Sequence, residues 1–190
     1  EQLFEMEISS NSILDSDPNE TNEVEAITIL KSKYSLLPHP EGGFYAETYR
    51  SNEIVSTNDD RSRCALTSIY FLIYPGCVSR LHRILSDEVW NFYIGGPMTV
   101  VELTKEGARL TVLGNDILNE DTLSQQVQYV VKANTWFGAF PNEGSSYSFV
   151  GCTVAPGFKF RDFEIGSRAA LLSEFPHDHE IIIKLTEGLP

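Results

Sequence analysis

From Phe44 onward the apolar runs of this chain are short, and glycine, proline or asparagine punctuates them throughout. The runs are Phe44–Arg50, Cys64–Tyr74, Met98–Leu103, Ala108–Gly114, Gln126–Val131, Thr135–Phe140, Tyr147–Val154 and Lys159–Phe163, with two more between Gly76 and Gly95. Short runs rich in β-branched and aromatic residues read as strands, and such dense turn signals leave no room for the crossover helices of a parallel sheet. The spacing therefore predicts an all-β fold, an antiparallel barrel or sandwich. Two regions depart from it. Val24, Ile27, Leu30 and Tyr34 recur at helical spacing, which predicts a helix over Glu23–Tyr34 capped by Thr21 or Asn22. Leu171, Leu172, Phe175 and then Ile181–Leu185 predict one or two short helices around Phe175-Pro176.

Finer expectations follow from strand alternation. Phe44–Arg50 puts Phe44, Ala46, Thr48 and Arg50 on one face and Tyr45, Glu47 and Tyr49 on the other, without saying which looks inward. Cys64–Tyr74 is apolar on both faces and should be buried on both. Ser51–Ser62 is expected to be a loop long enough to act as a lid. Gly76 to Gly95 reads as a β-hairpin. His82 alternates there with Arg80 and Ile84, Ser86-Asp87 makes a polar corner, and Glu88 opens the run EVWNFYI, which ends at Gly95-Gly96-Pro97. The hairpin thus carries an imidazole and a carboxylate at its corner.

The register of Gly76, His82, Glu88 and Gly95 resembles the first motif of the cupin superfamily, G-x5-H-x-H-x3-E-x6-G, with Ile84 in place of the second histidine. PHPEGGFYAETYRS at Pro38–Ser51, NTWFGAF at Asn134–Phe140 and VGCTVAPGFKFRDFE at Val150–Glu164 narrow the likeness to single-domain, cupin-5-like members related to epimerase-like barrels. The likeness extends from about Ile27 to the C-terminus. It implies a double-stranded β-helix, the jelly-roll barrel, with an N-terminal helix and short C-terminal helices. It also implies one domain over residues 23–190 behind a flexible acidic tail, residues 1–22, and a homodimer to which Leu3–Ile13 can contribute.

In metal-bearing members of that superfamily three histidines and a glutamate hold a divalent metal. Position by position, this chain keeps His82 and Glu88, while Ile84 and Phe137 stand at the other two places. Two ligands rarely hold a divalent ion, so neither a metal nor any other cofactor is expected. What remains is a metal-free pocket. His82 is the candidate base, its tautomer set by Glu88, and Tyr70 or Tyr93 is the candidate acid. Arg50 and Arg80 are the candidate grips for an oxyanion, since a guanidinium binds one bidentately. Trp90, Phe92, Trp136 and Phe137 are candidates to stack on a ring, and Ser68 is a further ligand contact. The resemblance points to a small-molecule ligand, a nucleotide, sugar phosphate or nucleotide-sugar, and to isomerase or epimerase chemistry. A non-enzymatic, storage-like binding cupin is the alternative, and a metal-dependent cupin enzyme is the second.

Charge and cysteine usage bound the partners. A net charge of −13 argues against a nucleic-acid partner, because phosphate contacts need a basic face. No apolar run approaches bilayer length, so no membrane partner is expected. Cys64, Cys77 and Cys152 match neither a disulfide framework nor a zinc pattern, which favours buried thiols in a reducing, cytoplasmic setting. His177-Asp178-His179 is expected to be a solvated turn, and His39 to shape the approach to the first strand.

Overall fold

The computed structural model describes residues 18–119 and 124–187. Helix α1 (Pro18–Lys33) is followed by strands β1 (Leu37–Pro38), β2 (Phe44–Arg50), β3 (Ile54–Ser56), β4 (Ser62–Cys64), β5 (Thr67–Ile73), β6 (Ser79–Ile84) and β7 (Asp87–Gly95). Next come β8 (Met98–Glu102), β9 (Arg109–Leu113), β10 (Gln128–Val131), β11 (Phe137–Pro141), β12 (Ser148–Ala155) and β13 (Phe163–Ile165), then helices α2 (Arg168–Glu174) and α3 (His179–Leu185). A six-stranded sheet runs β1-β2-β5-β12-β7-β10 and a five-stranded sheet runs β13-β6-β11-β8-β9. Every pairing between these strands is antiparallel. The architecture is the all-β jelly roll that the sequence implied.

The layers follow from which face of each strand is apolar. β5, TSIYFLI, is hydrocarbon on both sides, so it sits inside the six-stranded sheet and is covered twice. Phe71 and Ile73 meet Trp90, Val150, Phe137 and Met98 between the sheets. Leu72 and Tyr70 face outward against Ile27, Leu30 and Tyr34 of α1. On the far side, Leu81, Val101 and Trp136 of the five-stranded sheet are covered by Leu171, Ile182 and Leu185 of α2 and α3. Each large side chain buried this way contributes about 1.5–3 kcal/mol, so both helix packets stabilise the sheets they cover.

Four expectations need correction. Helix α1 begins at Pro18, so positions 21 and 22 lie within it rather than at its start; Val24 points to solvent. Residues 1–17, including Leu3–Ile13, lie outside the described residues. Ser51–Ser62 is not a plain loop: Ile54 and Val55 supply enough β propensity to form β3, which pairs with β4 as a separate ribbon. Lys159–Phe163 is not a strand but a 3-10 turn over Phe160–Asp162 that leads into β13. Most consequential, β6 and β7 do not pair with each other. β6 bonds to β11 and β13, and β7 bonds to β12 and β10, so the corner at Ser86 steps from one sheet to the other.

Candidate functional site

Between the sheets the core gives way to a cavity of about 540 Å³. His82 and Ile84 reach it from β6, Glu88 from the start of β7, and Cys152 and Val154 from β12. Tyr45, Glu47 and Arg50 come from β2. His39 and Glu41 come from the turn before it, and Phe158, Lys159 and Phe160 from the segment after β12.

Two backbone irregularities decide which side chains arrive. In β2 the register against β5 slips between Glu47 and Tyr49, so Thr48 is the extra residue of a bulge. Strict alternation would send Arg50 away from Tyr45 and Glu47, and the bulge returns it to their side. In β6 the register against β11 slips between Ser79 and His82. Ser79, rather than Arg80, therefore shares the His82 side. Its hydroxyl donates to Glu41 Oε1 at 2.7 Å, while the Arg80 guanidinium turns outward to the carbonyls of Glu41 and Pro40.

The polar floor is built around Glu41. Its Oε2 lies 3.3 Å from His82 Nε2 and 3.3 Å from His39 Nδ1. The main chain fixes what each imidazole can do. His82 Nδ1 is 2.7 Å from the carbonyl of Arg80, which accepts only, so Nδ1 carries the proton and Nε2 keeps its lone pair. His39 Nδ1 accepts from the Glu41 backbone N–H at 3.3 Å, so its lone pair is also on that atom. Burial pushes His82 down to about 4, against a weaker opposing pull from the Arg80 carbonyl, and burial likewise lowers His39. Burial raises Glu41, although His39, Ser79 and Arg80 pull it back. Glu88 is pushed up to about 8, first by burial and then by the negative charge Glu41 acquires when it ionises, while the Cys152 thiol pulls it back. At neutral pH His82 and Glu88 are thus uncharged, and burial shifts His39 and Glu41 in the same sense, toward their uncharged forms.

The mouth differs. Arg50 is spent on the protein itself: Nε and Nη2 donate to the Glu47 carboxylate at 3.0 and 2.6 Å, and Nη1 donates to the carbonyl of Phe158 at 3.1 Å. Lys159 stands beside it and makes no ion pair among the described residues. Phe160 stacks on His39 with ring centroids 5.9 Å apart, and Phe158 packs edge-on against Phe160.

The sequence-named residues divide accordingly. His82, Glu88 and Arg50 line the cavity, whereas the expected His82–Glu88 hydrogen bond is replaced by His82–Glu41. Tyr70 and Tyr93 are on the outer face of the six-stranded sheet, packed with Phe149 near α1, and Ser68 bonds Thr153 there. Trp90 and Phe92 are core, and Phe137 lies under the His82 ring at 4.1 Å, fully buried. Trp136 faces α2 and α3 with Arg83 stacked on it at 4.5 Å. None of these eight, Arg80 included, lines the cavity. Glu41, His39, Cys152 and Lys159 line it without having been proposed as site residues. The motif PHPEGG carried Glu41 in plain view, but a lone acid in a turn has no spacing partner to betray it.

A metal does not fit this donor set. Among the described residues no three His, Cys, Asp or Glu side chains are grouped to hold one. Ile84 and Phe137 fill two of the four places with hydrocarbon, and Glu41 faces the His82 nitrogen that a metal would need.

Comparison with known proteins agrees with this architecture. The family model described as Cupin superfamily (DUF985) matches residues 29–166. A solved hypothetical protein from Leishmania major is 32% identical, covers 83% of this chain and 97% of its own, and superposes with a TM-score of 0.76. A structural-genomics protein from Shewanella oneidensis is 38% identical, covers 82% and 94%, and gives a TM-score of 0.72. None of the curated proteins matches this chain.

Proposed function

We propose, for a chain that belongs to the DUF985 family of the cupin superfamily, that the cavity between the sheets binds one small ring-bearing molecule with a single anionic group. A nucleotide or sugar derivative has this chemistry. The carrying observation is the division of the site, with uncharged polar groups at the floor, aromatic rings along the wall and Lys159 free at the mouth. A volume of about 540 Å³ accommodates such a ligand. Arg50 is already matched by Glu47, and the floor holds two carboxyls, so a multiply anionic head group is disfavoured inside and its phosphate belongs beside Lys159.

Isomerase or epimerase chemistry is the activity this site supports best. An unprotonated imidazole nitrogen and uncharged carboxyls side by side are what removal and return of a proton next to a carbonyl require. No helix of the described residues is long and apolar enough to cross a membrane, and the three free cysteines support a reducing, cytoplasmic setting. A homodimer belongs to the same reading. β10 ends its sheet with Val130 exposed on it, and an open edge invites a second copy; the β9 edge, with Leu110 exposed, is closed at Val112–Gly114 by Gln126.

A thermal-shift series with nucleoside monophosphates, sugar phosphates and their dephosphorylated counterparts tests binding. A ligand at a hundredfold its Kd stabilises by about 2.7 kcal/mol. Lys159→Ala should weaken the phosphorylated ligands about tenfold and leave the others unchanged. Equal loss for both classes would refute the placement of the anion.

A further inference from the structure

We infer that Glu41 is an uncharged acid at neutral pH, its proton lodged between two unprotonated imidazole nitrogens and available to a ligand in the cavity. Geometry alone demands a proton there. Glu41 Oε2 faces His82 Nε2 and His39 Nδ1, each at 3.3 Å; the Glu41 backbone N–H requires a lone pair on His39 Nδ1, and a neutral His82, its one proton held on Nδ1 by the Arg80 carbonyl, keeps a lone pair on Nε2. Three lone-pair atoms meeting in a buried place repel unless one of them is protonated. The Ser79 hydroxyl donates to the other carboxyl oxygen and satisfies it, which leaves Oε2 to carry the proton. Burial favours the uncharged form of all three groups. The other charged or titratable groups around the cluster come from every wall. Arg80 on β6 contacts the Glu41 main chain, Glu88 on β7 is itself neutral and shares the cavity with Cys152 of β12, Lys159 beyond β12 stands at the mouth, and Glu47 and Arg50 on β2 neutralise each other.

This inference rests on the cavity being a ligand site and adds the group that completes its acid–base pair. His82 Nε2 takes a proton from the carbon beside a ligand carbonyl while Glu41 Oε2 gives its own to the carbonyl oxygen. The C–H electron pair becomes the new C=C bond, and the carbonyl π pair forms the O–H bond. The ligand becomes a neutral enol, and the protein is left with a carboxylate beside an imidazolium. In a ligand with a hydroxyl on that carbon, the imidazolium then protonates the former carbonyl carbon while the hydroxyl proton passes to the Glu41 carboxylate and its oxygen becomes the new carbonyl, which yields the isomer and restores the cluster. The recognised class is therefore a small carbonyl compound with a hydroxyl-bearing C–H next to the carbonyl.

The test is ligand-free NMR of the full chain, labelled with ¹³C and ¹⁵N, at pH 7. We expect His82 neutral with its proton on Nδ1, His39 neutral with its proton on Nε2, and the Glu41 carboxyl carbon in the protonated range. An imidazolium at either histidine, or an ionised Glu41, would overturn the inference. In Glu41→Gln the amide N–H groups replace the acid proton, so both tautomers should persist; a folded variant with either ring in the other tautomer would also overturn it. Because no ligand is present, failure here leaves the binding proposal standing. A failed thermal-shift series leaves the proton assignment standing.

Discussion

Glu88→Gln exposes the electrostatic cost of the cavity floor. Burial above all, with the charge Glu41 acquires on ionising added to it, holds Glu88 at about 8 against an ordinary 4.5. Between those values the folded chain keeps a proton that the unfolded chain has released. Its contribution to stability is therefore whole below pH 4.5 and falls by 1.36 kcal/mol per pH unit as pH rises, on the order of 5 kcal/mol in full. His82 runs the other way. It is held at about 4 against an ordinary 6.5, so unfolding takes up a proton below 6.5 and its contribution grows as pH rises from about 4 to 6.5. The two slopes cancel between about 4.5 and 6.5, and only the fall remains above, roughly 2 kcal/mol by pH 8. Glu41, raised, and His39, lowered, add to the same two slopes. Glutamine keeps the shape of Glu88 and removes its titration. The variant should match the wild type most closely in acid and overtake it progressively toward pH 8. Urea unfolding midpoints across that range, at unchanged m, provide the measurement. A wild-type-to-variant difference that stays constant with pH would mean that Glu88 titrates like an exposed carboxyl, and the uncharged floor would be refuted.

Two further substitutions probe the supports of the site. Phe137→Ala removes a fully buried ring beneath His82 and should cost about 3–5 kcal/mol in denaturant unfolding; a loss below 1 kcal/mol would show that the site can collapse around the gap. Gly42→Ala places a Cβ 2.1 Å from the Val78 carbonyl at a residue with φ of +111°, and should destabilise by more than about 1 kcal/mol. It should also displace Glu41, read as a change in the His82 imidazole signals, and an unchanged spectrum would sever the link between that turn and the site.

Strand existence and fold family were legible because turn residues and β-branched runs are local signals. β2, β8 and β9 fall within a residue or two of their expected bounds. Pairing was not legible. Gly76–Gly95 has every local mark of a hairpin, yet its two arms find better partners in β11 and β12, which lie far along the chain. Facing was half legible. Alternation groups Tyr45 with Glu47 and Phe44 with Ala46, but only packing against α1 shows that Phe44 and Ala46 turn outward. The bulge at Thr48 set Arg50 beside Tyr45 and Glu47, the irregularity within Ser79–His82 took Arg80 off the His82 side, and no residue type announces either. Tyr70 alternates to the outer face of β5, and in the proposed reaction a carboxyl from a turn takes the place of its hydroxyl.

The step at Ser86 has a mechanical meaning. His82 and Glu88 are six positions apart in sequence but belong to opposite jaws, one to each sheet, and Glu41 is clasped by both, rooted before β2 and tied to Ser79 and Arg80 of β6. Any slight parting of the sandwich pulls these side chains away from one another. A guest touching both jaws would act as a rivet, tightening the whole sandwich around them.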